Sequence, residues 1–260
     1  MTKSNRDIPN AEEGFSLISN QKLLILYNTM LCCRGIALEA SSDRKNAGGL
    51  LGHEAAVVGA AIDLLPQDTV VHTFSPHAAL AAVNSNVSAS ADMKQAVRSA
   101  AWSKGGQISV VFAGSKQVVQ QAWHKGLALA ADRKLPVLFV ALGARGSLDA
   151  EAGELRIPQA ETMPSLPRIN VDGNDVVAVY RVATEAITHA RKGHGPALIE
   201  CRHSAPDDPI ENMRKYLIGK GINPTPWPGA VASIPPPPRA PSRKPAPGAA
   251  GLGPVLGVIK

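Results

Sequence analysis

Seven histidines and three cysteines are the side chains of this 260-residue sequence best suited to acid-base, nucleophilic or metal chemistry, and their spacing limits how they can cooperate. Cys32 and Cys33 are adjacent and Cys201 is distant. That pattern matches neither a C-x-x-C redox pair nor the ligand spacing of a zinc site, so the three are expected to be buried or inert thiols in a reducing compartment. His53, His72, His124, His189 and His194 have no second ligand or base at a useful spacing and read as structural or exposed. His77 and the adjacent pair His203-Ser204 remain. By residue type alone His203-Ser204 reads as a polar surface turn, which is where such residues usually lie. A different chemistry is offered by Gly114-Ser115-Lys116, where a glycine between an apolar run and a helical segment could expose backbone amides to an anion such as a diphosphate. An ordinary strand-to-helix loop would look the same.

The elements that must position these groups alternate between helical and strand patterns. Leu23–Glu39 has apolar residues at a period close to 3.6 and predicts an amphipathic helix. Gly48-Gly49 interrupts the chain, and the Ala-rich Glu54–Leu65 predicts a second helix, ended by Pro66, with side chains small enough to pack closely on a sheet. Thr69–Phe74 predicts a short strand, Ala78–Val83 a helical piece, Asn84–Asp92 a polar stretch and Met93–Ser103 a further helix. Ile108–Phe112 as strand, Gly114 as turn, Gln117–Arg133 as helix and Leu135–Val140 as strand form a βαβ crossover, and the continuous apolar strands predict a parallel sheet buried on both faces. A second unit follows: strand Ile169–Val171, turn and N-cap Asp172-Gly173-Asn174, helix Val176–Lys192, a break at Gly193–Gly195 and strand Ala197–Cys201. Asp208–Gly219 predicts a last amphipathic helix. Ligands of such sheets sit beyond the carboxyl ends of the strands, which makes Ala113–Lys116, Ala141–Ser147 and Asp172–Asn174 the candidate site loops.

Composition narrows the class. With 45% hydrophobic and 18% charged residues the chain can bury a core, which excludes a fully disordered protein. No apolar run reaches the roughly 20 residues of a membrane span. The polar start MTKSNRDIPNAEEG lacks the basic and apolar regions of a secretory signal, so the expected compartment is the cytoplasm. The net charge of +6 suggests nucleic acid until its distribution is read: residues 225–260 hold four basic groups and no acid, leaving 23 basic against 21 acidic groups in the rest. The same stretch holds ten of the 21 prolines, including Pro235–Pro238. The expected organisation is a polar arm over 1–20, an α/β domain over 21–222 and a Pro/Ala-rich, basic, disordered tail over 223–260.

Several ordered segments are similar to the alpha subunit of thiamine-diphosphate-dependent 2-oxoacid dehydrogenases, the decarboxylating component of the pyruvate, branched-chain and acetoin complexes. They are Leu26-Tyr27-Asn28-Thr29-Met30 with Arg34 and Glu39, then Gly52-His53-Glu54-Ala55-Ala56-Val57-Val58-Gly59, and then the helix Ala122–Lys134 leading to Leu135-Pro136. The most specific is Leu166-Pro167 followed by Val171-Asp172-Gly173-Asn174-Asp175-Val176 and Ala178-Val179-Tyr180. Gly195–Glu200, Asp208-Pro209-Ile210 and Leu217 complete an order that runs across about residues 21–222. The resemblance implies a thiamine-diphosphate-binding α/β fold, a parallel sheet flanked by helices on both faces, and a beta-type subunit in an α₂β₂-like assembly or a homodimer. It also implies that the glutamate activating the cofactor ring belongs to the beta chain.

The same resemblance places the cofactor-binding positions. The family holds Mg²⁺ on the cofactor diphosphate with the Asp of a Gly-Asp-Gly turn and an Asn of a downstream Asn-Asn pair. These positions fall here on Gly114-Ser115-Lys116 and on Gly143-Ala144. A hydroxyl, backbone carbonyls and a lysine cation are a poor octahedral oxygen set, so Mg²⁺ is not expected. The family's phosphate-contacting Tyr-Arg pair falls on Phe74-Ser75, and His77 matches a neighbouring histidine. The span from His77 to Gly114 is short, and so is the loop after Glu200, where His203 and Ser204 stand as the remnant of an active-site segment. Three readings follow: an alpha-like chain that has lost metal-dependent cofactor binding, an active alpha subunit in which Lys116 and helix amides replace the metal clamp, and a non-catalytic partner- or anion-binding protein tethered by its tail.

Overall fold

The computed structural model describes residues 18–41, 51–72, 83, 88–90, 97, 100, 106–118, 120–143, 166–203 and 207–227. The expected pieces at 78–83 and 93–103 lie largely outside these residues, as do the N-terminal arm up to residue 17 and the tail from residue 228. Strands β1 (Thr69–His72), β2 (Ser88–Ser90), β3 (Ser109–Gly114), β4 (Val137–Leu142), β5 (Arg168–Asp172) and β6 (Ala197–Arg202) pair in the order β2-β1-β3-β4-β6-β5. Every pairing is parallel. β2 lies inside the stretch expected to be a polar loop: a three-residue edge strand of Ser-Ala-Ser carries no hydrophobic periodicity, and only its neighbour β1 makes it a strand.

Helices cover both faces. α1 (Asn20–Ser41), α2 (Glu54–Ala61), α5 (Val176–Arg191) and α6 (Pro209–Gly219) pack with Val110, Phe112, Leu138, Val140 and Ile199. On the other face Trp123, Leu127 and Ala130 of α4 (Gln121–Asp132) pack with Val111, Val137, Phe139 and Leu198. Alternate residues of one strand thus feed two cores, which is why β3 and β4 are apolar without a break. Each fully buried Val, Leu or Phe side chain contributes roughly 1.5 to 3 kcal/mol through the apolar area it removes from water.

Local chemistry sets the helix starts. Asp175 accepts from the amides of Val177 and Ala178, and Asp208 accepts from those of Ile210 and Glu211, with Pro209 at the first helical position. The cap of α5 is therefore Asp175, one residue beyond the expected turn Asp172-Gly173-Asn174. The helix expected at 117–133 is two pieces, a single turn α3 (Ser115–Val118) and α4, and Gly114 is the last residue of β3, not a turn. Lys134 closes α4 at φ 50°, with Leu135 N–H bonded to Ala130 C=O at 2.9 Å.

Two helices are more buried than their patterns imply. α1 is enclosed along most of its circumference, Asn28 and Thr29 included, where a one-faced helix was expected. Asn28 Nδ2 donates to Leu24 C=O, and Asn28 Oδ1 accepts from the amide of Trp227 at 2.7 Å, so the chain beyond α6 returns to α1. α2 is buried at all eight positions and meets α5 rather than lying only on the sheet. Gly59 makes this approach possible: a Cβ there would stand 2.9 Å from Val179 Cγ1 and 3.0 Å from the Tyr180 nitrogen.

Candidate functional site

Strand order reverses between β1 and β3, the place where an open parallel sheet leaves a crevice beyond its carboxyl ends. Gly114, Ser115 and Lys116 leave β3 at this edge, and Gly143 leaves β4 beside them, since Gly114 is in register with Leu142. The Gly143 amide donates to Cys201 C=O of β6 at 2.9 Å, and His203 follows two residues later. The sheet therefore gathers Gly114, Ser115, Lys116, Gly143 and His203 along one edge. Phe74, Ser75, His77, Ala144 and Ser204 lie outside the described residues.

The donors at the β3 and β4 ends are limited. Ser115 and Lys116 are exposed, and Gly114 and Gly143 present only backbone. A Cβ at Gly114 would meet Gln117 Oε1 at 3.0 Å, so the side chain of α3 closes over the strand end. A hydroxyl, carbonyls and an ammonium do not form the oxygen cage that a small hard cation demands. Among the described residues no group of three or more His, Cys, Asp or Glu is placed to hold a metal ion. These residues do not fit Mg²⁺.

Toward β6 and β5 the edge becomes richer in chemistry. His53, set just before α2 by Gly52 at φ 82°, brings Nδ1 to 3.0 Å from His203 Nε2. The rings meet edge-on, 4.3 Å between centroids and 88° between planes. Gly173 lies against the other side of His203: a Cβ there would be 2.5 Å from Cε1 and 2.6 Å from Nε2. His53 was expected to have no partner at useful spacing. The pairing spans 150 residues, so no sequence window contains it.

Beneath this pair is an ion network. Arg34 Nε donates to Glu54 Oε1 at 2.5 Å and Nη1 to Asp208 Oδ2 at 2.9 Å. Glu54 is fully buried, and Arg34 Nη2 and Glu54 Oε2 have no hydrogen-bond partner. Burial alone would lower the Arg34 pKa, but bonds to the two carboxylates raise it, so the guanidinium stays charged. Burial also works against ionised Asp208, yet Arg34 and the amides of Ile210 and Glu211 hold its carboxyl below the usual range. Arg34 and Glu54 both belong to the segments that carried the family resemblance. Their contact was not read from them.

Cys32 is half-buried, unlike the other two thiols. Cys33 and Cys201 are buried and none of the three is in a disulfide. Burial, then the charge of Asp172, pushes the Cys201 thiol up to about 12, and burial together with Glu54 and Cys32 raises that of Cys33. Neither supplies a thiolate near neutral pH.

Recesses open at two separate places. One of about 300 Å³ lies at the carboxyl edge, lined by Asn170, Val171, Asp172 and Arg202. A larger one of about 580 Å³ lies on the outer face of α5, among Ile18, Tyr180, Arg181 and Glu185, and holds none of the expected site residues. The expected site residues therefore lie at the strand ends and not at the larger cavity.

Comparison with known proteins places this geometry in a family. The chain is 41% identical over 98 residues to the alpha subunit of acetoin:2,6-dichlorophenolindophenol oxidoreductase of Bacillus subtilis, covering 36% of this chain and 29% of that protein. It is 34% identical over 137 residues to the chloroplastic pyruvate dehydrogenase E1 component subunit alpha-3 of Arabidopsis thaliana, covering 43% and 32%. To the pyruvate dehydrogenase E1 component subunit alpha of Acholeplasma laidlawii it is 28% identical over 167 residues, covering 53% and 46%. The matches thus span between about a third and about half of these relatives' lengths. Among solved structures, the inactive β4 tetramer of a split-gene transketolase aligns with a TM-score of 0.43 at 16% identity, over 60% of this chain and 53% of that one. The family model described as Dehydrogenase E1 component matches residues 76–214, more than half of the sequence, and with alpha subunits among its relatives this chain belongs to the dehydrogenase E1 component family as an alpha-subunit-like member.

Proposed function

We propose that this chain is an alpha-type subunit of a 2-oxoacid dehydrogenase E1 assembly that keeps the scaffold and has lost the metal-dependent grip on thiamine diphosphate. The observation that carries the reading is the adjacency of the β3 and β4 carboxyl ends, where Gly114-Ser115-Lys116 and Gly143 stand side by side. In the family as the resemblance describes it, this is where a carboxylate and a carboxamide hold Mg²⁺. Here the side chains supply one hydroxyl and one cation, and the cation opposes a second cation through simple Coulomb repulsion. A beta-type partner, in an α₂β₂-like complex in the cytoplasm, is the expected companion, since the family divides its cofactor site between two chains.

The competing reading is an active subunit in which Lys116 neutralises the diphosphate as a point charge. The exposure of Lys116 at this edge is compatible with it, but α3 is a single turn, too short for a helix dipole to contribute. Native mass spectrometry of the complex recovered from the source cell separates the two. A heteromer or monomer without a thiamine diphosphate mass increment is expected. A retained cofactor sensitive to EDTA would overturn both accounts of the site, whereas cofactor that survives EDTA and disappears in Lys116→Ala would establish the lysine clamp.

A further inference from the structure

We propose that His53 and His203 share a single proton and form an acid-released latch, with His53 the positioning residue for His203 at the end of β6. The latch is independent of the reading of the metal position and would operate in an active or an inactive chain. At 3.0 Å, Nδ1 of His53 and Nε2 of His203 form a hydrogen bond only if one nitrogen donates and the other is a bare acceptor. Two N–H groups at that separation oppose each other. His203 cannot move off the contact in the direction of β5, because Gly173 Cα already lies against its ring and the Gly173 amide is bonded to Arg202 C=O at 2.6 Å. His53 is held by the fully buried α2 that begins at the next residue. Compression from both sides makes the pair a two-state contact.

Among the described residues, the ionisable groups on the surrounding elements are Arg34 of α1, Glu54 of α2, Asp172 at the end of β5, Asp175 before α5, Arg202 of β6, and Asp207 and Asp208 before α6. Glu54 and Asp208 are tied to Arg34, Asp172 to the Asn174 amide and Asp175 to the first amides of α5. The first proton taken up by the pair converts N–H···N into N⁺–H···N and strengthens the bond. The second removes the acceptor. In the unfolded chain both imidazoles take protons near the ordinary value of about 6.5, whereas the closed latch takes one, so the closed state is disfavoured as pH falls below that range. The sign follows from proton counting: the unfolded state binds one proton more, and the unfolding constant rises by up to about tenfold per pH unit.

Urea unfolding of the full chain between pH 8 and pH 5 tests this, comparing the natural sequence with His53→Asn. An asparagine amide occupies the Nδ1 position and can donate or accept, yet takes no proton. The ratio of the two unfolding constants is expected to change by up to about tenfold per unit below pH 6. Histidine-selective NMR of the unmutated chain should show His53 and His203 titrating as a coupled pair in two steps, with hydrogen exchange at the Gly173 amide accelerating at the second. His203→Gln, whose amide replaces Nε2, serves as a second variant if His53→Asn does not fold. Identical pH dependence of the variants and the natural sequence, or two independent single-step titrations, would overturn the latch.

Discussion

Asp208 shows how much one side chain can carry at the edge of this sheet. It caps α6 through two amides and accepts from Arg34, so its loss combines an uncapped helix with a weakened tie to α1. Its folded-state pKa is depressed, which means that its contribution is present above the ordinary carboxylate range near 4 and is lost as pH falls through the folded value. The carboxylate is partly exposed, so water screens the ion pair and the cap is the larger part. Asp208→Ala is expected to lower stability by roughly 0.5 to 2 kcal/mol at pH 7. In thermal or urea unfolding across pH, the gap from the natural sequence should close below about pH 4. A gap that does not narrow as pH falls below the ordinary carboxylate range near 4 would show that the carboxylate charge is not the source. The helix start was legible at Asp208, whereas the Arg34 contact, 174 residues away, was not.

At the scale of elements, the contact between α2 and α5 is the most sensitive to a single methyl group. Its basis is Gly59, whose missing Cβ leaves room for Val179 Cγ1 and the backbone of Tyr180. Gly59→Ala improves intrinsic helix propensity by about 1 kcal/mol, yet it overpacks a rigid interface at a cost of typically 1 to 3 kcal/mol. The net expectation is a destabilised protein with a lower urea midpoint. An unchanged or raised midpoint would mean that α2 and α5 can part without loss. The sequence marked both helices, α5 to within one residue, but carried the Ala-rich α2 on to Leu65, where the structure ends it at Ala61. That α2 would be buried on every side depends on having α1, α5 and α6 around it, which no local window contains. β2 makes the complementary point: three small or polar residues become a strand only because β1 offers a parallel edge.

The whole molecule is tied together across its far edge by Asp68. This fully buried carboxylate accepts from both terminal nitrogens of Arg191 at the end of α5 and from the amides of Leu65 and Ile108, so it joins α2, β1, β3 and α5. Asp68→Ala leaves a largely buried guanidinium without its counter-charge and is expected to cost roughly 3 to 5 kcal/mol. Calorimetry of the variant should show a transition lowered by several degrees or lost, and a shift within experimental error would remove Asp68 from this role. What the sequence determined by itself was the periodic and the local: strands apolar on both faces, the helices that follow Asn174 and begin at Asp208, the α/β class, and the absence of carboxylate and carboxamide side chains at Ser115, Lys116, Gly143 and Ala144. Only the tertiary structure decided that the Gly143 amide meets Cys201, that Arg34 reaches Glu54 and Asp208, and that His53 meets His203. The physical reason is range. Period and capping act over a few residues, while a parallel sheet brings distant strand ends together through pairings whose register is fixed by the packed cores on its two faces.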